Sequence, residues 1–129
     1  MTKRFEIYKC EVCGNVVQVL LDSFGELVCC NQPMKKLQVQ HDTNELGEKH
    51  APKVEHRDGK KYVNVNTHPM IAEHYIQFIE GIDSKNNELH LKYFYPEETP
   101  EFDISYTSDN TSFIELCNLH GLWGDNKTK

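Results

Sequence analysis

Four histidines and one cysteine in the last two thirds of the chain could together bind one metal ion. They occur in three short motifs, Glu48-Lys49-His50, His68-Pro69-Met70-Ile71-Ala72-Glu73-His74 and Cys117-Asn118-Leu119-His120-Gly121. Structural zinc normally takes four ligands, so five ligands that mix imidazole nitrogen with one thiolate indicate an iron-type site with a free coordination position. A free position on a metal predicts a chemical reaction there.

The other four cysteines are candidate ligands of a second metal ion. They fall early in the chain, as Cys10-Glu11-Val12-Cys13 and the adjacent pair Cys29-Cys30. Disulfides are disfavoured in a reducing cytosol, and an odd total of five cysteines leaves one thiol unpaired in any case. The early four therefore predict a tetrahedral thiolate site that suits either iron or zinc. Because adjacent cysteines cannot both adopt the Cys-x-x-Cys turn, we expect this tetrahedron to be distorted.

The candidate ligands and their neighbours also have structural interpretations. A single histidine more often lies at the surface or in a hydrogen bond than on a metal. Three histidines outside the motifs are interpreted in that way, namely His41, His56 and His90. Cys117 could be a small buried apolar residue, and Glu48 and Lys49 could be solvated loop charges. Trp123 suits core packing or a shield over the metal pocket.

The segment around the early cysteines is too small to fold by hydrophobic burial alone. Its apolar runs cover only residues 5–8 and 16–21, and a piece of fewer than ~40 residues usually needs a metal or a partner. The sequence turns polar over residues 37–44. We therefore predict a first domain at residues 1–40 and a second domain at residues 41–129.

The pattern of the second domain is typical of an all-β fold, with no competing helical period. Asp58-Gly59 between two β-rich runs predicts a hairpin, and further strands are predicted at residues 75–82, 89–95, 102–106 and 112–116. About seven short strands separated by turns favour an antiparallel sandwich of immunoglobulin type. Such a sandwich gathers its loops at two ends, so the three ligand motifs, placed at strand ends, can meet around one ion.

Charge and composition exclude several classes of partner. The net charge is −6 without a basic stripe, which disfavours binding to nucleic acid. No stretch is apolar enough to cross a bilayer, and the basic pair near the N-terminus has no apolar run behind it, so we expect a cytoplasmic protein. An anionic substrate would be repelled by this net charge, which makes Lys49 of interest as a local positive group.

Taken together, these motifs resemble those of the desulfoferrodoxin family, the two-iron superoxide reductases. The resemblance extends over nearly the whole chain, from Cys10-x-x-Cys13 and Cys29-Cys30 to the run Cys117-Asn118-Leu119-His120-Gly121-Leu122-Trp123. It implies a desulforedoxin-like domain with an iron held by four cysteines, followed by an immunoglobulin-like domain with a mononuclear iron. On this resemblance the second iron has four equatorial histidines, His50, His68, His74 and His120, and an axial thiolate from Cys117.

The resemblance also implies a reaction and its participants. Superoxide is reduced by one electron to hydrogen peroxide without release of dioxygen, and rubredoxin is the usual electron donor of the family. Lys49 would attract the anion and help to supply protons, and Glu48 would close the open iron position after turnover. A homodimer is implied as well. The alternative is a non-enzymatic protein, either a rubredoxin-like electron carrier or a zinc-stabilised interaction module.

The chain departs from the family pattern near the first cluster. The segment Leu21-Asp22-Ser23-Phe24-Gly25 stands in place of a glycine-rich loop, and Asn31 stands where a glycine often follows the cysteine pair. Asparagine tolerates a positive φ angle, so we expect the turn at Asn31 to be preserved. The loop change leaves all four cysteines present and concerns only the surface around them.

Overall fold

The computed structural model describes residues 1–41 and 45–125, apart from the side chains of residues 45 and 46. The chain divides into two compact units, Met1–Gln38 and Val39–Lys129, called here the first and the second unit. Among the described residues, no helix has the length and apolar character needed to span a membrane. The predicted all-β fold is confirmed, since strands make up nearly all of the regular structure.

The first unit is built from five very short strands. In chain order they are β1 Ile7–Lys9, β2 Val16–Gln18, β3 Val28–Cys29, β4 Gln32–Pro33 and β5 Lys35–Lys36. Strands β2, β1 and β5 form one antiparallel sheet, and β3 pairs with β4. The buried apolar residues of this unit are few, namely Ile7, Cys10 and Val19. Such a small core gives little hydrophobic stabilisation, so the cysteine cluster must contribute to the fold.

The second unit is a sandwich of two antiparallel sheets preceded by a six-residue helix. Its elements are α1 Glu45–His50, β6 Lys53–Arg57, β7 Lys60–Asn64, β8 Ile76–Asp83, β9 Glu88–Tyr93, β10 Glu101–Asp103, β11 Thr111–Cys117 and β12 Gly121–Gly124. The sheet orders are β10-β7-β6 and β12-β11-β8-β9. The core cluster contains Val63, Ile79, Ile104 and Phe113, and Cys117 belongs to the same cluster.

The predicted hairpin at Asp58-Gly59 is confirmed. Arg57 pairs with Lys60, so that only two residues connect β6 to β7. The φ angles of Asp58 and Gly59 are 52° and 78°. Two consecutive positive φ angles define the tight turn that matches the twist of the paired strands, and Asp-Gly is among the pairs that adopt it readily.

Three local features differ from the sequence-based expectation. Helix α1 was not predicted, because six residues are too few to show a helical period. Cys117 is the last residue of β11 and does not follow it, and β12 continues the sheet after a three-residue turn. Strand β10 ends at Asp103, short of the predicted residue 106, because the Asp103 carboxylate accepts hydrogen bonds from the Ser105 N–H (3.0 Å) and hydroxyl (2.7 Å).

Candidate metal centres

The first unit brings its four cysteines together in what we call the tetrathiolate site: Cys10, Cys13, Cys29 and Cys30. Their four sulfur atoms all lie within 4.8 Å of one another. The Cys13 and Cys29 Sγ atoms are 3.6 Å apart, and the Cys29 and Cys30 Sγ atoms are 4.0 Å apart. None of the four is in a disulfide. These separations suit thiolates arranged around one metal ion of the size of iron or zinc.

The local electrostatics of the tetrathiolate site favour a cation at its centre. Backbone N–H groups, chiefly that of Cys13 at 3.4 Å, lower the pKa of the Cys10 thiol to about 6. The neighbouring sulfur groups of Cys13 and Cys10 raise the pKa of Cys30 to about 12, and they also raise that of Cys29. Cys29 and Cys30 therefore resist ionising beside the Cys10 thiolate unless a metal ion compensates the charge.

Backbone conformation explains how adjacent cysteines can share one metal. Cys30 and Asn31 have φ angles of 52° and 60°, both in the left-handed region. This bend turns the chain back immediately after Cys29, and β4 starts directly after Asn31. The expectation that Asn31 preserves the turn is confirmed, and it does so with a positive φ angle. The Asn15 side-chain amide lies 3.7 Å from the Cys29 Sγ atom, where it can donate a weak hydrogen bond to the sulfur.

In the second unit, the rings of His50, His68, His74 and His120 form an approximately square array. Going around the array, neighbouring ring centroids are 4.7, 4.5, 5.0 and 4.9 Å apart, and the His50–His74 diagonal is 6.3 Å. Neighbouring rings are nearly perpendicular, with interplanar angles between 73° and 88°. These histidines and Cys117 form what we call the histidine-cysteine site.

The ring nitrogens of the array converge on a common point. The His50 Nε2 atom lies 3.2 Å from His68 Nε2 and 3.2 Å from His120 Nδ1. The Nε2 atom of His74 is buried and has no hydrogen-bond partner within the described part of the chain. A buried nitrogen without a partner is costly, and a metal ion would satisfy it. The donor atoms of His50, His74, Cys117 and His120 all lie within 4.8 Å of one another. The site therefore fits a metal ion.

Burial and hydrogen bonding prepare His68 and His74 to bind a metal in the neutral form. The Nδ1 atom of His68 lies 2.6 Å from the Pro69 carbonyl oxygen, which fixes the tautomer that leaves Nε2 available as a ligand. Burial lowers the pKa of His68 to about 4, and it lowers the pKa of His74 as well. Neither ring then has to lose a proton before it can coordinate at neutral pH.

Cys117 lies at the end of β11, with its Sγ atom 3.9 Å from the His120 Nδ1 atom. Its side chain is buried, and its Sγ atom accepts a hydrogen bond from the His120 N–H at 3.4 Å. Burial raises the pKa of this thiol, while the N–H groups of His120 and Leu119 act in the opposite direction. Two residues earlier, burial raises the pKa of Glu115 well above its usual range. A metal ion would favour the thiolate form of Cys117.

Different elements deliver the five residues. His50 ends helix α1, His68 and His74 bracket the loop between β7 and β8, and His120 lies in the turn between β11 and β12. The loop of His74 is closed by a pair of hydrogen bonds of 3.0 Å between the backbones of Ile71 and His74. His50 and His68 are buried and His120 is exposed, so the array opens to solvent on one side.

Three residues support the array, and the sequence alone indicated a role for only one of them, Trp123. The indole of Trp123 stacks on the His50 ring at 4.8 Å and donates from Nε1 to the His120 carbonyl at 3.1 Å. Gln40 Nε2 donates to the same carbonyl at 2.8 Å, and the Gln40 backbone pairs with that of β12. Asn118 binds the loop of His74. For Trp123, core packing and shielding of the site are both realised.

The remaining candidate residues lie outside the ligand sets. Glu48 and Lys49 are exposed on helix α1, immediately before the buried His50. His90 lies near Asp83 and Glu88, which makes a third cluster of potential ligands. The Asp83 carboxylate, however, already accepts four hydrogen bonds, two from Asn86 and two from Ser108. We therefore interpret this third cluster as a stabilised turn.

Comparisons with known proteins agree with this architecture. A family model described as "Desulfoferrodoxin, N-terminal domain" matches residues 2–37, and one described as "Desulfoferrodoxin" matches residues 42–126. A desulfoferrodoxin homolog from Archaeoglobus fulgidus is 44% identical over 125 residues, which cover 95% of this chain and 98% of the relative. A desulfoferrodoxin from Desulfarculus baarsii is 41% identical over 95% of this chain and 97% of the relative.

A solved structure has the same fold over almost the whole chain. The superoxide reductase from Treponema pallidum superposes with a TM-score of 0.69 at 23% sequence identity, covering 98% of this chain and 100% of that one. The first unit by itself resembles desulforedoxin from Megalodesulfovibrio gigas, with 50% identity over 36 residues that make up 97% of that protein. The tetrathiolate and histidine-cysteine sites within these family domains point to two iron centres.

Proposed function

Because the chain belongs to the desulfoferrodoxin family, we propose that it is a superoxide reductase. The reaction adds one electron and two protons to superoxide and yields hydrogen peroxide without releasing dioxygen. The observation that carries this proposal is the square of four imidazoles together with the buried Cys117 thiol, whose Sγ atom lies within 4.8 Å of the donor atoms of His50, His74 and His120. Five donors of this kind would leave an octahedral ferrous ion one position for superoxide. When bound there, a ferrous ion supplies the electron.

We assign the iron ligands on the basis of these two clusters. His50, His68, His74 and His120 would hold the catalytic iron through their ring nitrogens, and Cys117 would hold it through its thiolate. The second set, which binds the other iron, consists of Cys10, Cys13, Cys29 and Cys30. The corresponding domains are residues 1–40 and residues 41–129. The assignment is supported by the convergence of the donor atoms and by the buried, unpartnered Nε2 atom of His74.

We assign Lys49 to substrate attraction and proton supply. Superoxide is an anion and the chain has a net charge of −6, so an ammonium group beside the site offsets long-range repulsion. Lys49 is exposed next to the buried ligand His50, where solvent can deliver protons to its neighbourhood. The neighbouring carboxylate of Glu48 is assigned to closing the open position after turnover and helping to displace the peroxide.

Replacing Lys49 with alanine is expected to slow the reaction with superoxide about tenfold at low ionic strength, because steering by a local charge is lost. The difference from the unmodified protein should shrink as salt is added, since salt screens exposed charges. The iron content should not change. The measurement is the second-order rate constant by pulse radiolysis or stopped flow at several salt concentrations.

Lys53→Ala is the matched control for Lys49→Ala, because Lys53 is also an exposed lysine of the second unit and its loss changes the net charge equally. Lys49→Arg should recover most of the rate. Equal slowing by Lys49→Ala and Lys53→Ala would mean that only the net charge matters and would refute a specific role for Lys49.

The stoichiometry of the reaction tests the proposed activity itself. Pre-reduced protein mixed with superoxide under anaerobic conditions should form one peroxide for each superoxide consumed, with no dioxygen. A protein that dismutates superoxide would form dioxygen and peroxide in equal amounts. Dioxygen release, or the absence of any reaction by the iron-loaded protein, would overturn the assignment as a reductase.

The alternative functions account for only part of the structure. A rubredoxin-like carrier or a zinc-stabilised interaction module would need the tetrathiolate site. Neither would need five donors, four imidazoles in a square and one buried thiol, because a structural zinc is satisfied by four ligands. The histidine-cysteine site therefore favours the enzyme over both alternatives.

We further propose a rubredoxin-like electron donor, a cytoplasmic location and a role in detoxification. An external donor is needed because each turnover consumes one electron. Five free cysteines, four of them gathered in one cluster, suit a reducing compartment in which thiols stay unoxidised. Rapid oxidation of pre-reduced rubredoxin only when both superoxide and this protein are present would support the choice of donor.

A homodimer is also proposed, and the surface of the first unit supports it. Large apolar side chains are exposed there, including Leu20, Leu21, Phe24 and Val28, with Phe24 at 88% exposure. An apolar surface of this kind is typical of an interface between subunits. Sedimentation equilibrium should give twice the chain mass of 15.0 kDa, and a monomer at micromolar concentration would refute this part of the proposal.

A further inference from the structure

Asn118 connects the loop of the axial cysteine to the loop of an equatorial histidine. Its side-chain Oδ1 atom accepts a hydrogen bond from the Tyr75 N–H at 2.9 Å, and its Nδ2 atom donates to the Glu73 carbonyl at 3.0 Å. Its backbone N–H donates to the Tyr75 carbonyl, 3.2 Å away. These bonds hold the backbone on both sides of His74. One amide side chain therefore links the position of His74 to that of Cys117.

The β-sheet does not provide this link by itself. The pairing of β8 with β11 ends at Ile76, opposite Cys117, and its register shifts between Leu116 and Cys117. His74 lies beyond the last paired residue. The hydrogen bonds between Ile71 and His74 close the loop on itself but do not tie it to β11. The side chain of Asn118 supplies the connection that the sheet lacks at the level of His74.

We propose that Asn118 is a positioning residue that holds His74 in the square array and thereby favours iron over zinc at the histidine-cysteine site. This inference rests on the proposed function, because it concerns the same metal site. Zinc binds nitrogen and sulfur donors more tightly than ferrous iron does, so a protein selects iron through geometry. A square of four imidazoles with one axial thiolate suits iron, whereas zinc prefers a tetrahedron.

The donor atoms show how selectivity would be lost without Asn118. The donors of His50, His74, Cys117 and His120 already lie within 4.8 Å of one another. If His74 could shift, these four could close into a tetrahedron around zinc and leave His68 unbound. Fixing the backbone on both sides of His74 opposes that movement. The amide of Asn118 thus acts on metal choice through the position of a ligand and not by touching the metal.

The test uses the full chain, stripped of metal and then offered equal amounts of ferrous iron and zinc under anaerobic conditions. Asn118→Ala removes both side-chain bonds. Asn118→Asp has nearly the same size and keeps the acceptor for the Tyr75 N–H, but it places an oxygen against the Glu73 carbonyl. Asn86→Ala is the matched control, since Asn86 Nδ2 also makes a turn-stabilising bond, to Asp83 at 3.0 Å, far along β8 from the site.

Bound iron and zinc per chain are measured by mass spectrometry, and the absorption of the cobalt-substituted protein reports coordination number. Both Asn118 variants should raise the zinc-to-iron ratio at the histidine-cysteine site by about tenfold or more. Losing an outer-shell partner changes metal affinity by about 10- to 100-fold, and tenfold is the lower end of that range. Their cobalt spectra should move toward the four-coordinate form. Asn86→Ala should lower the melting temperature without changing either quantity.

Unchanged metal ratios and cobalt spectra in variants with lowered melting temperatures would overturn the proposal and leave Asn118 a merely structural residue. If the alanine variant does not fold, the aspartate variant decides by the same two measurements. A different result would refute the proposed function. In that case the unmodified protein would bind iron at the histidine-cysteine site but would not reduce superoxide, whatever the metal preference of the Asn118 variants.

Discussion

Replacing His74 with alanine is expected to eliminate superoxide reduction and to lower the iron content from two per chain to one. The substitution removes one corner of the square array and leaves three imidazoles and a thiolate, a set of four that suits zinc better than iron. The rate should fall by more than about 100-fold. Loss of a residue that only supports a ligand already costs up to about 100-fold in activity, and loss of the ligand itself should cost more. Metal analysis and stopped-flow kinetics measure the two effects.

His56→Ala is the matched control for His74→Ala, because His56 is an exposed histidine on β6 and belongs to neither ligand set. It should retain both irons and the full rate. A His74→Ala protein that kept two irons and reacted at the unmodified rate would remove His74 from the ligand set and contradict the proposed coordination.

Replacing Cys13 with serine is expected to affect the first unit and to spare the reaction in the second unit, the reverse of what we expect for His74→Ala. The tetrathiolate site should lose its iron, and the first unit should lose its order, because its buried apolar residues are few and metal binding can contribute on the order of 10 kcal/mol to such a fold. Superoxide reduction at the histidine-cysteine site should largely remain. Iron content, limited proteolysis of the first unit and superoxide kinetics measure these three outcomes.

Val12→Ser provides the control for Cys13→Ser, since Val12 is 58% exposed within the same turn and its replacement leaves all four thiols in place. That variant should keep two irons and an ordered first unit. If Cys13→Ser abolished superoxide reduction while the histidine-cysteine site still held iron, the first iron would be an obligatory electron relay.

The two clusters of candidate ligands were predictable from sequence because their spacing and residue types are unusual. The thiols at Cys10 and Cys13 and the ring pair His68 and His74 lie close together along the chain, and strand ends bring the distant motifs together in a sandwich. The Asp58-Gly59 hairpin was equally predictable, because its two positive φ angles require particular residue types. The desulfoferrodoxin resemblance is confirmed.

The supporting residues were not predictable because their partners are backbone groups far along the chain. Asn118 bonds to the backbone of residues 73 and 75, and Gln40 bonds to that of His120. A backbone carbonyl has no residue type, so no pattern in the sequence marks it as a partner. Helix α1 was not predicted for a related reason, since its six residues, fewer than two turns, are too few to show a helical period.

The bond from Gln40 to the His120 carbonyl has a consequence for the charge on Lys49. Gln40 is attached to the His120 turn, and ten residues later His50 lies in the same array, one position after Lys49. Gln40 and His50 are thus both held at the His120 turn, so the attraction of superoxide that we propose for Lys49 would come from a charge tethered to the array. A short tether gives an effective concentration of at least about millimolar, which dilution of the protein cannot change. Added salt can screen this ammonium group but cannot displace it.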